Sequence, residues 1–151
     1  MKLICFGMAV LMGLAFACSS SSDSLDLSVY RYNDTKRLVR FVHTAALKLE
    51  RGGISALTEY KVRKGTASDY YLYVYDLDGV SIFHAGMPEL ENRKLRDIRD
   101  KDGKRALDMV YEAVNNPDNP HGWVHYSWWE PGKFYPVPKS SCHFLAKLPI
   151  S

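Results

Sequence analysis

The strongest constraint on the fold is a pair of β-rich runs on either side of an Asp-Gly dipeptide. Tyr70 to Val74 consists of aromatic, β-branched and leucine residues, and Val80 to Phe83 is similar. Asp78-Gly79 between them suits the positive backbone angles of a tight turn. The stretch therefore predicts a β-hairpin that runs from Tyr70 to His84, and its turn sets which residues of the two strands face each other.

The chain begins with the features of an export signal. Met1-Lys2 precedes an uncharged run from Leu3 to Ala17, which is shorter than the about 20 apolar residues of a membrane-spanning helix. The run ends in Ala15-Phe16-Ala17, the small-x-small pattern that signal peptidase cuts. We expect residues 1–17 to be a signal peptide and the mature protein to be exported to the periplasm or the cell surface.

Cys18 and the serines after it resemble a bacterial lipoprotein signal, in which this cysteine is lipidated and begins the mature chain. Ala15 stands where the usual pattern has leucine, so cleavage followed by release is an alternative. We expect a lipid-anchored tether over residues 18–33 and a single domain over residues 34–151. Cys142 is then the one cysteine of that domain, and a bridge to Cys18 is conceivable only without lipidation.

The charge balance argues against two classes of partner. The full chain has 20 Lys and Arg residues against 17 Asp and Glu residues, and the signal peptide contains Lys2. A nearly neutral domain offers no basic surface to nucleic acid or to an anionic membrane. The lipid anchor is therefore the expected contact with the membrane.

Hydrophobic periodicity predicts helices and two further strands. Apolar residues at helical spacing follow Asp34, a suitable N-cap, and Gly52-Gly53 ends this long helix. A shorter helix is expected between Ile54 and Lys64, and another from Lys104 to Val114. Aromatic residues favour a strand over residues 123–129, and one more strand is expected over residues 140–145. The pattern predicts one α+β domain that contains an antiparallel sheet.

The order of these elements and their motifs resembles the single Cache domain of type 2. This extracytoplasmic sensor module occurs in bacterial chemoreceptors and sensor kinases, and also in free-standing secreted or lipoprotein versions. The resemblance spans residues 34 to 148. It is carried by Tyr71 to Gly79, Phe83-His84, Pro88 to Asn92, Asp100 to Gly103, Gly122 to Trp128 with Pro131, and Pro138 to Ser141.

The resemblance implies a PAS-like fold, in which a long N-terminal helix packs on a curved antiparallel sheet of about five strands. It also implies a ligand on the sheet face away from that helix, and such ligands are mostly small organic acids and amino acids. Cys142 departs from the family, which has Tyr there, and the family's final Gly-containing strand is missing. Either the end is truncated or the sheet has an open edge.

Candidate ligand-binding residues come from the hairpin, the loop after it and the later strands. Strand alternation places Tyr126 and Trp128 on one face. The resemblance places them on the pocket strands together with Lys139, the counter-charge for an acid. The full set is Tyr126, Trp128, Lys139, His84, Asn92 and Tyr73. The competing interpretations are core packing for the aromatic residues and for His84, and solvent exposure for Lys139.

Three kinds of catalytic or metal site are not supported. Asp76 to Gly79 matches the start of a calcium loop, but the later oxygen ligands and the closing Glu are missing. The histidines lack zinc spacing, and Cys142 has no nucleophile context. We therefore expect no cofactor, no metal and no enzyme activity.

Two functions remain. The first is an extracytoplasmic sensor that binds a small organic acid or amino acid and acts through a protein partner. The second is a structural or interaction lipoprotein with the same fold and no small-molecule ligand.

Overall fold

The chain places its long helix first and then two β-hairpins separated by a loop and a second helix. The structure, a computed structural model, describes residues 25–61, 70–129 and 134–148. Its elements are helix α1 (Asn33–Gly52), a 3-10 helix (Ile54–Tyr60), strands β1 (Tyr73–Tyr75) and β2 (Ser81–His84), a short 3-10 helix (Pro88–Leu90), helix α2 (Ala106–Asn115), and strands β3 (Val124–Trp129) and β4 (Pro136–Ser141). The predicted signal peptide over residues 1–17 and the predicted lipid site at Cys18 lie outside the described residues.

Helix α1 is amphipathic, as its sequence predicts. Its buried residues are Val39, Ala45 and Leu49. The helix ends because Gly53 adopts a positive φ of 66°, and the N–H of Gly53 donates to the carbonyl of Leu49 at 2.8 Å. Glycine adopts this backbone region without steric cost, so the predicted glycine stop is confirmed.

The start of α1 differs by a small shift from the prediction. The N-cap is Tyr32, whereas Asp34 lies in the first turn and pairs with Arg37 at 3.5 Å. A carboxylate in the first turn still favours the helix through its interaction with the helix dipole. The predicted shorter helix is also present, as the 3-10 helix Ile54–Tyr60.

Strands β1 and β2 form the predicted antiparallel hairpin. Its turn is held by Asp76, whose Oδ1 accepts the N–H groups of Asp78 at 2.9 Å and Val80 at 2.8 Å. Gly79 has a φ of 81°, and a Cβ at this position would lie 2.9 Å from the Cβ of Arg96. Glycine is therefore needed here both for its backbone angle and for its lack of a side chain.

Strands β3 and β4 form a second antiparallel hairpin, and the position of β4 corrects the sequence prediction. The expected strand over residues 140–145 is wrong, because β4 spans Pro136–Ser141 and residues 142–148 are not a strand. The strand contains two prolines, Pro136 and Pro138. Proline is nevertheless tolerated in an edge strand where its missing N–H would face away from the partner strand.

Among the described residues, no strand of the first hairpin shares a ladder with a strand of the second. The strand order is β1-β2 in one sheet and β3-β4 in the other. The α+β class and the long N-terminal helix are confirmed, but the described residues contain four strands in two separate sheets rather than one sheet of about five. Residues 142–148, which follow β4, lie in irregular conformation and belong to neither sheet.

The main core lies between α1 and the first hairpin. Leu57 is fully buried there, and Phe83 is 2 % exposed. The cluster consists of Ala45, Leu49, Leu57, Leu72, Phe83 and Ala85. Leu72 and Phe83 point towards α1, so strand alternation directs Tyr73 and His84 to the opposite face of the hairpin.

Candidate functional site

Five of the predicted site residues lie on the same side of the two hairpins. Tyr73 pairs directly with His84, and Tyr126 pairs directly with Lys139. Residues directly opposite each other in an antiparallel pair point to the same face. Trp128 lies two residues beyond Tyr126 and therefore shares its face. This side of the hairpins is covered by α2 and by the loop that precedes it.

A small cavity of about 50 Å³ lies between this face and the loop. Tyr73, His84, Tyr126 and Trp128 contribute to its wall. The other lining residues are Tyr71, Tyr75, Met87, Leu90, Leu95, Ile98, Ala106, Leu107 and Val110. A water needs about 10–15 Å³ of such space, so the cavity has room for a few water molecules or a ligand of similar size.

A second, larger cavity of about 190 Å³ adjoins the first. Tyr73 and Tyr126 line both cavities, whereas Lys139 lines only the larger one. The larger cavity is bounded by α1, β1, α2, the end of β4 and the segment after it.

Asn92 is the one predicted site residue that is not brought to these cavities. It is exposed and has a φ of 65°, and its N–H donates to the carbonyl of Ser81 at 2.7 Å. Asparagine tolerates this left-handed conformation better than most residues. Asn92 therefore lies in a turn of the loop, and it lines neither cavity.

His84 is 2 % exposed and has a defined tautomer. Its Nδ1 accepts the N–H of Met87 at 2.9 Å, so Nε2 carries the proton of the neutral ring. Burial lowers the pKa of His84, although the carboxylates of Glu89 and Glu91 oppose this shift. The ring is therefore neutral near pH 7 and offers Nε2–H as a hydrogen-bond donor.

Tyr73 is held by a histidine that the sequence did not nominate for ligand binding. Nδ1 of His143 donates to the carbonyl of Gly122 at 2.8 Å, so Nε2 of the same ring accepts the hydroxyl proton of Tyr73 at 2.8 Å. Burial lowers the pKa of His143 and raises the pKa of the Tyr73 hydroxyl. Tyr73 therefore stays protonated, donates a hydrogen bond to His143, and presents oxygen lone pairs to its other neighbours.

His143 could not be selected from the sequence. It follows Cys142 in a segment that forms no strand, and its contact with Tyr73 joins residues 70 positions apart. Tyr71 and Tyr75 also line both cavities. The sequence could have predicted this, because they lie two residues before and after Tyr73 and therefore share its face of the strand.

The Asp-Gly motifs are used as turns. Asp100 repeats the arrangement of Asp76, because its Oδ1 accepts the N–H groups of Asp102 and Lys104, both at 2.9 Å. Gly103 has a φ of 80° in this second turn. Within residues 25–61, 70–129 and 134–148, no group of three or more His, Cys, Asp or Glu side chains could hold a metal ion.

Cys142 is buried, and its thiol has low reactivity. It is 5 % exposed, and burial raises the pKa of its thiol to about 12. A thiol with such a pKa is protonated at neutral pH and is a poor nucleophile. The alternative bridge to Cys18 involves a residue outside the described part of the chain.

The family model for the single Cache domain 2 matches residues 33–144. The chain belongs to the single Cache domain 2 family. In the described part of this Cache domain, no helix is both long enough and apolar enough to cross a bilayer.

One curated relative of this Cache domain is the methyl-accepting chemotaxis protein McpP of Pseudomonas putida. The two are 34 % identical over 73 residues, which is 48 % of this chain and 13 % of the relative. The match thus spans a small part of the receptor's length.

Two solved structures are similar in fold to this Cache domain. A methyl-accepting chemotaxis protein from Vibrio parahaemolyticus has a TM-score of 0.54 and 26 % identity, with 71 % of this chain and 76 % of that chain covered. A periplasmic sensor domain of a chemotaxis protein has a TM-score of 0.53 and 27 % identity, with coverage of 71 % and 80 %. The family and these neighbours point to a non-enzymatic signalling domain.

Proposed function

We propose that this chain is an extracytoplasmic sensor domain that binds a small organic acid or amino acid between its two hairpins. The observation that carries the proposal is the shared face of two directly opposed pairs, Tyr73 with His84 and Tyr126 with Lys139. These pairs border two adjoining cavities. Ligand sites typically combine such apolar walls with a few polar groups that fix the orientation of the ligand.

The polar groups at this face suit a carboxylate. Lys139 supplies a positive charge, and His84 supplies the Nε2–H donor that its tautomer leaves on the ring. Tyr126 and Trp128 supply a hydroxyl and an indole N–H. Leu107 of α2 provides the apolar wall of both cavities. The ligand is thus held by charge and hydrogen bonds on one side and by apolar packing on the other.

Export and a protein partner complete the proposal. The signal peptide predicted over residues 1–17 would deliver the domain to the periplasm or cell surface, and lipidation of Cys18 would anchor it there. One structural neighbour is named as a periplasmic sensor domain, and the named relatives are chemotaxis proteins. These names support a signalling protein as the partner that reads the bound state.

The test begins with a thermal-shift screen of the purified protein against organic acids and amino acids. A ligand that binds only the folded state raises the melting temperature by mass action. Isothermal titration of a hit should then show affinity losses of about tenfold or more in Lys139→Ala and Trp128→Ala, because each variant removes a polar group from the site. Lys104→Ala, a change at an exposed lysine, is the matched control. Unchanged affinity in both site variants would refute the assignment.

A second candidate function is an interaction lipoprotein that has this fold and no ligand. The observation that favours it is that β1 and β4 each pair with only one strand among the described residues. An unpaired strand edge can accept a strand from another protein. The absence of any thermal shift, together with a purified partner whose binding is lost in Val74→Pro, would favour this function over the sensor.

A further inference from the structure

A hydrogen-bond series runs from the wall of the cavities towards the segment before α1. It begins at Tyr73, which lines both cavities and donates to Nε2 of His143 at 2.8 Å. The ring Nδ1 of His143 donates to the carbonyl of Gly122 at 2.8 Å, and its backbone N–H donates to the carbonyl of His121 at 2.9 Å. His143 thus joins β1 to the loop before β3.

The hydrogen-bond series ends at Tyr30, in the segment before α1. The indole Nε1–H of Trp123 donates to the Tyr30 hydroxyl at 2.7 Å. An indole nitrogen only donates, so the hydroxyl proton of Tyr30 is free to be donated, and Nδ1 of His121 lies 2.6 Å away as its acceptor. Tyr30 is therefore bound to the residues on either side of Gly122, whose carbonyl holds His143.

The loop at residues 121–123 packs closely against His143. A Cβ at Gly122 would lie 2.9 Å from the carbonyl oxygen of His143 and 2.9 Å from Cγ1 of Val114 in α2. The ring centroids of Phe144 and His121 are 5.4 Å apart. Close-packed atoms leave little room to absorb a displacement, so a shift of His143 moves this loop.

Tyr30 attaches a segment that lies outside the family match. Residues 25–32 belong to the predicted tether of residues 18–33, and they precede residues 33–144, which the family model matches. Val29 is 60 % exposed and Tyr32 is 68 % exposed, whereas Tyr30 is half-buried. The side chain of Tyr30 therefore ties this part of the predicted tether to the loop before β3.

We infer that the hydrogen-bond series couples the cavities to the predicted tether, so that loss of the bond between Tyr73 and His143 loosens residues 25–32. As the route by which a bound ligand is reported to a partner, this coupling deepens the proposed function and rests on it. A ligand that accepts the Tyr73 hydroxyl proton takes that donor from His143. A buried acceptor without a donor is unfavourable, so His143 and the loop that it holds bind Tyr30 less firmly.

Hydrogen exchange followed by NMR tests the coupling on the purified full chain without any ligand. In Tyr73→Phe, the indole N–H of Trp123 and the backbone N–H of Tyr30 should exchange about fivefold faster or more, the lower end of typical coupling between sites. Two controls should leave both rates within about twofold of the wild type. Tyr75→Phe removes another hydroxyl at the cavities, and Leu57→Ala destabilises the core. Equal acceleration in Leu57→Ala would show that both rates report general unfolding and would overturn the inference.

Coupling between sites is reciprocal, so a second variant tests it from the other end. Tyr30→Phe should increase the rate at which iodoacetamide labels Cys142, which is 5 % exposed and adjoins His143, by about fivefold or more. Mass spectrometry of the peptide that contains Cys142 measures this rate. Tyr32→Phe, at an exposed tyrosine of the same segment, is the matched control and should leave it unchanged.

Two results would overturn the inference: unchanged exchange of Trp123 and Tyr30 in Tyr73→Phe, or unchanged labelling of Cys142 in Tyr30→Phe. Neither measurement uses a ligand. A failure of the coupling is therefore distinguished from a failure of the proposed function, which the thermal-shift screen decides.

Discussion

Tyr73→Phe should destabilise the domain because it leaves a buried histidine nitrogen without a donor. The Tyr73 hydroxyl donates to Nε2 of His143 at 2.8 Å, and Nδ1 of the same ring donates to the carbonyl of Gly122 at 2.8 Å. Phenylalanine retains the ring and its stacking on His84, where the centroids are 5.8 Å apart. The substitution therefore removes the hydrogen bond to His143, together with the interactions of the hydroxyl with Ser141 and Tyr126.

The magnitude follows from what the substitution leaves behind. A hydrogen bond between neutral groups contributes about 0.5–1.5 kcal/mol, and an unsatisfied buried acceptor raises the cost of its loss to about 1–3 kcal/mol. His143→Phe removes two hydrogen bonds and should cost about 2–3 kcal/mol. Because the two variants share one hydrogen bond, the double variant should be less destabilised than the sum by about 1 kcal/mol.

Urea unfolding followed by far-UV circular dichroism measures all four free energies of unfolding. Tyr75→Phe, in the same strand, is the control and should show no coupling to His143. Additive energies for Tyr73→Phe and His143→Phe, or a Tyr73→Phe protein as stable as the wild type, would contradict the hydrogen-bond assignment.

Three further changes test the fold and its titration. Burial lowers the pKa of His84, His121 and His143 below 6.5, so the unfolded state binds more protons than the folded state as the pH falls. The free energy of unfolding should therefore fall from about pH 7 to 5.5. Urea melts at each pH measure this change, and a free energy that does not vary with pH would contradict it. Gly79→Ala should cost about 1–3 kcal/mol because φ is 81° and the new Cβ meets Arg96. Gly103 has a similar φ of 80°, but a Cβ there would have no atom within 4 Å, so Gly103→Ala should cost less. Equal losses of stability in the two variants would exclude the contact with Arg96 as a cause. Leu57→Ala, at a position that is 0 % exposed, should cost about 2–5 kcal/mol, whereas Leu145→Ala, at 37 % exposure, should cost little in the same urea melts.

Local sequence signals predicted the first hairpin and α1 well. The Asp-Gly turn, the glycine stop after α1 and the alternation of the strands depend on neighbouring residues, so they can be identified without tertiary contacts. The prediction was wrong for β4, which was expected over residues 140–145 but spans Pro136–Ser141 and contains two prolines. Whether a proline is tolerated depends on which edge of its strand faces the partner, and that is set by the pairing with β3.

The candidate site was predictable to the extent that it follows strand register. Tyr126 and Trp128 share a face by alternation alone, and the hairpin register then adds Lys139 to that face. His143 was missed because its contact with Tyr73 depends on the path of an irregular segment. Asn92 was selected because it lies in the loop after the first hairpin. Its backbone has a positive φ, and its exposed side chain lines neither cavity. Neither the contact of His143 nor the position of Asn92 outside the cavities follows from local propensity.

The separation of the strands into two hairpins also bears on how the chain folds. Each ladder joins strands that are close in sequence, since β1 and β2 are linked by residues 76–80, and β3 and β4 by residues 130–135. Contacts between near neighbours close small loops and form quickly, whereas distant pairings are slow. We therefore expect both hairpins to form early, and the docking of α1 and α2 onto them to be the slower step that creates the cavities.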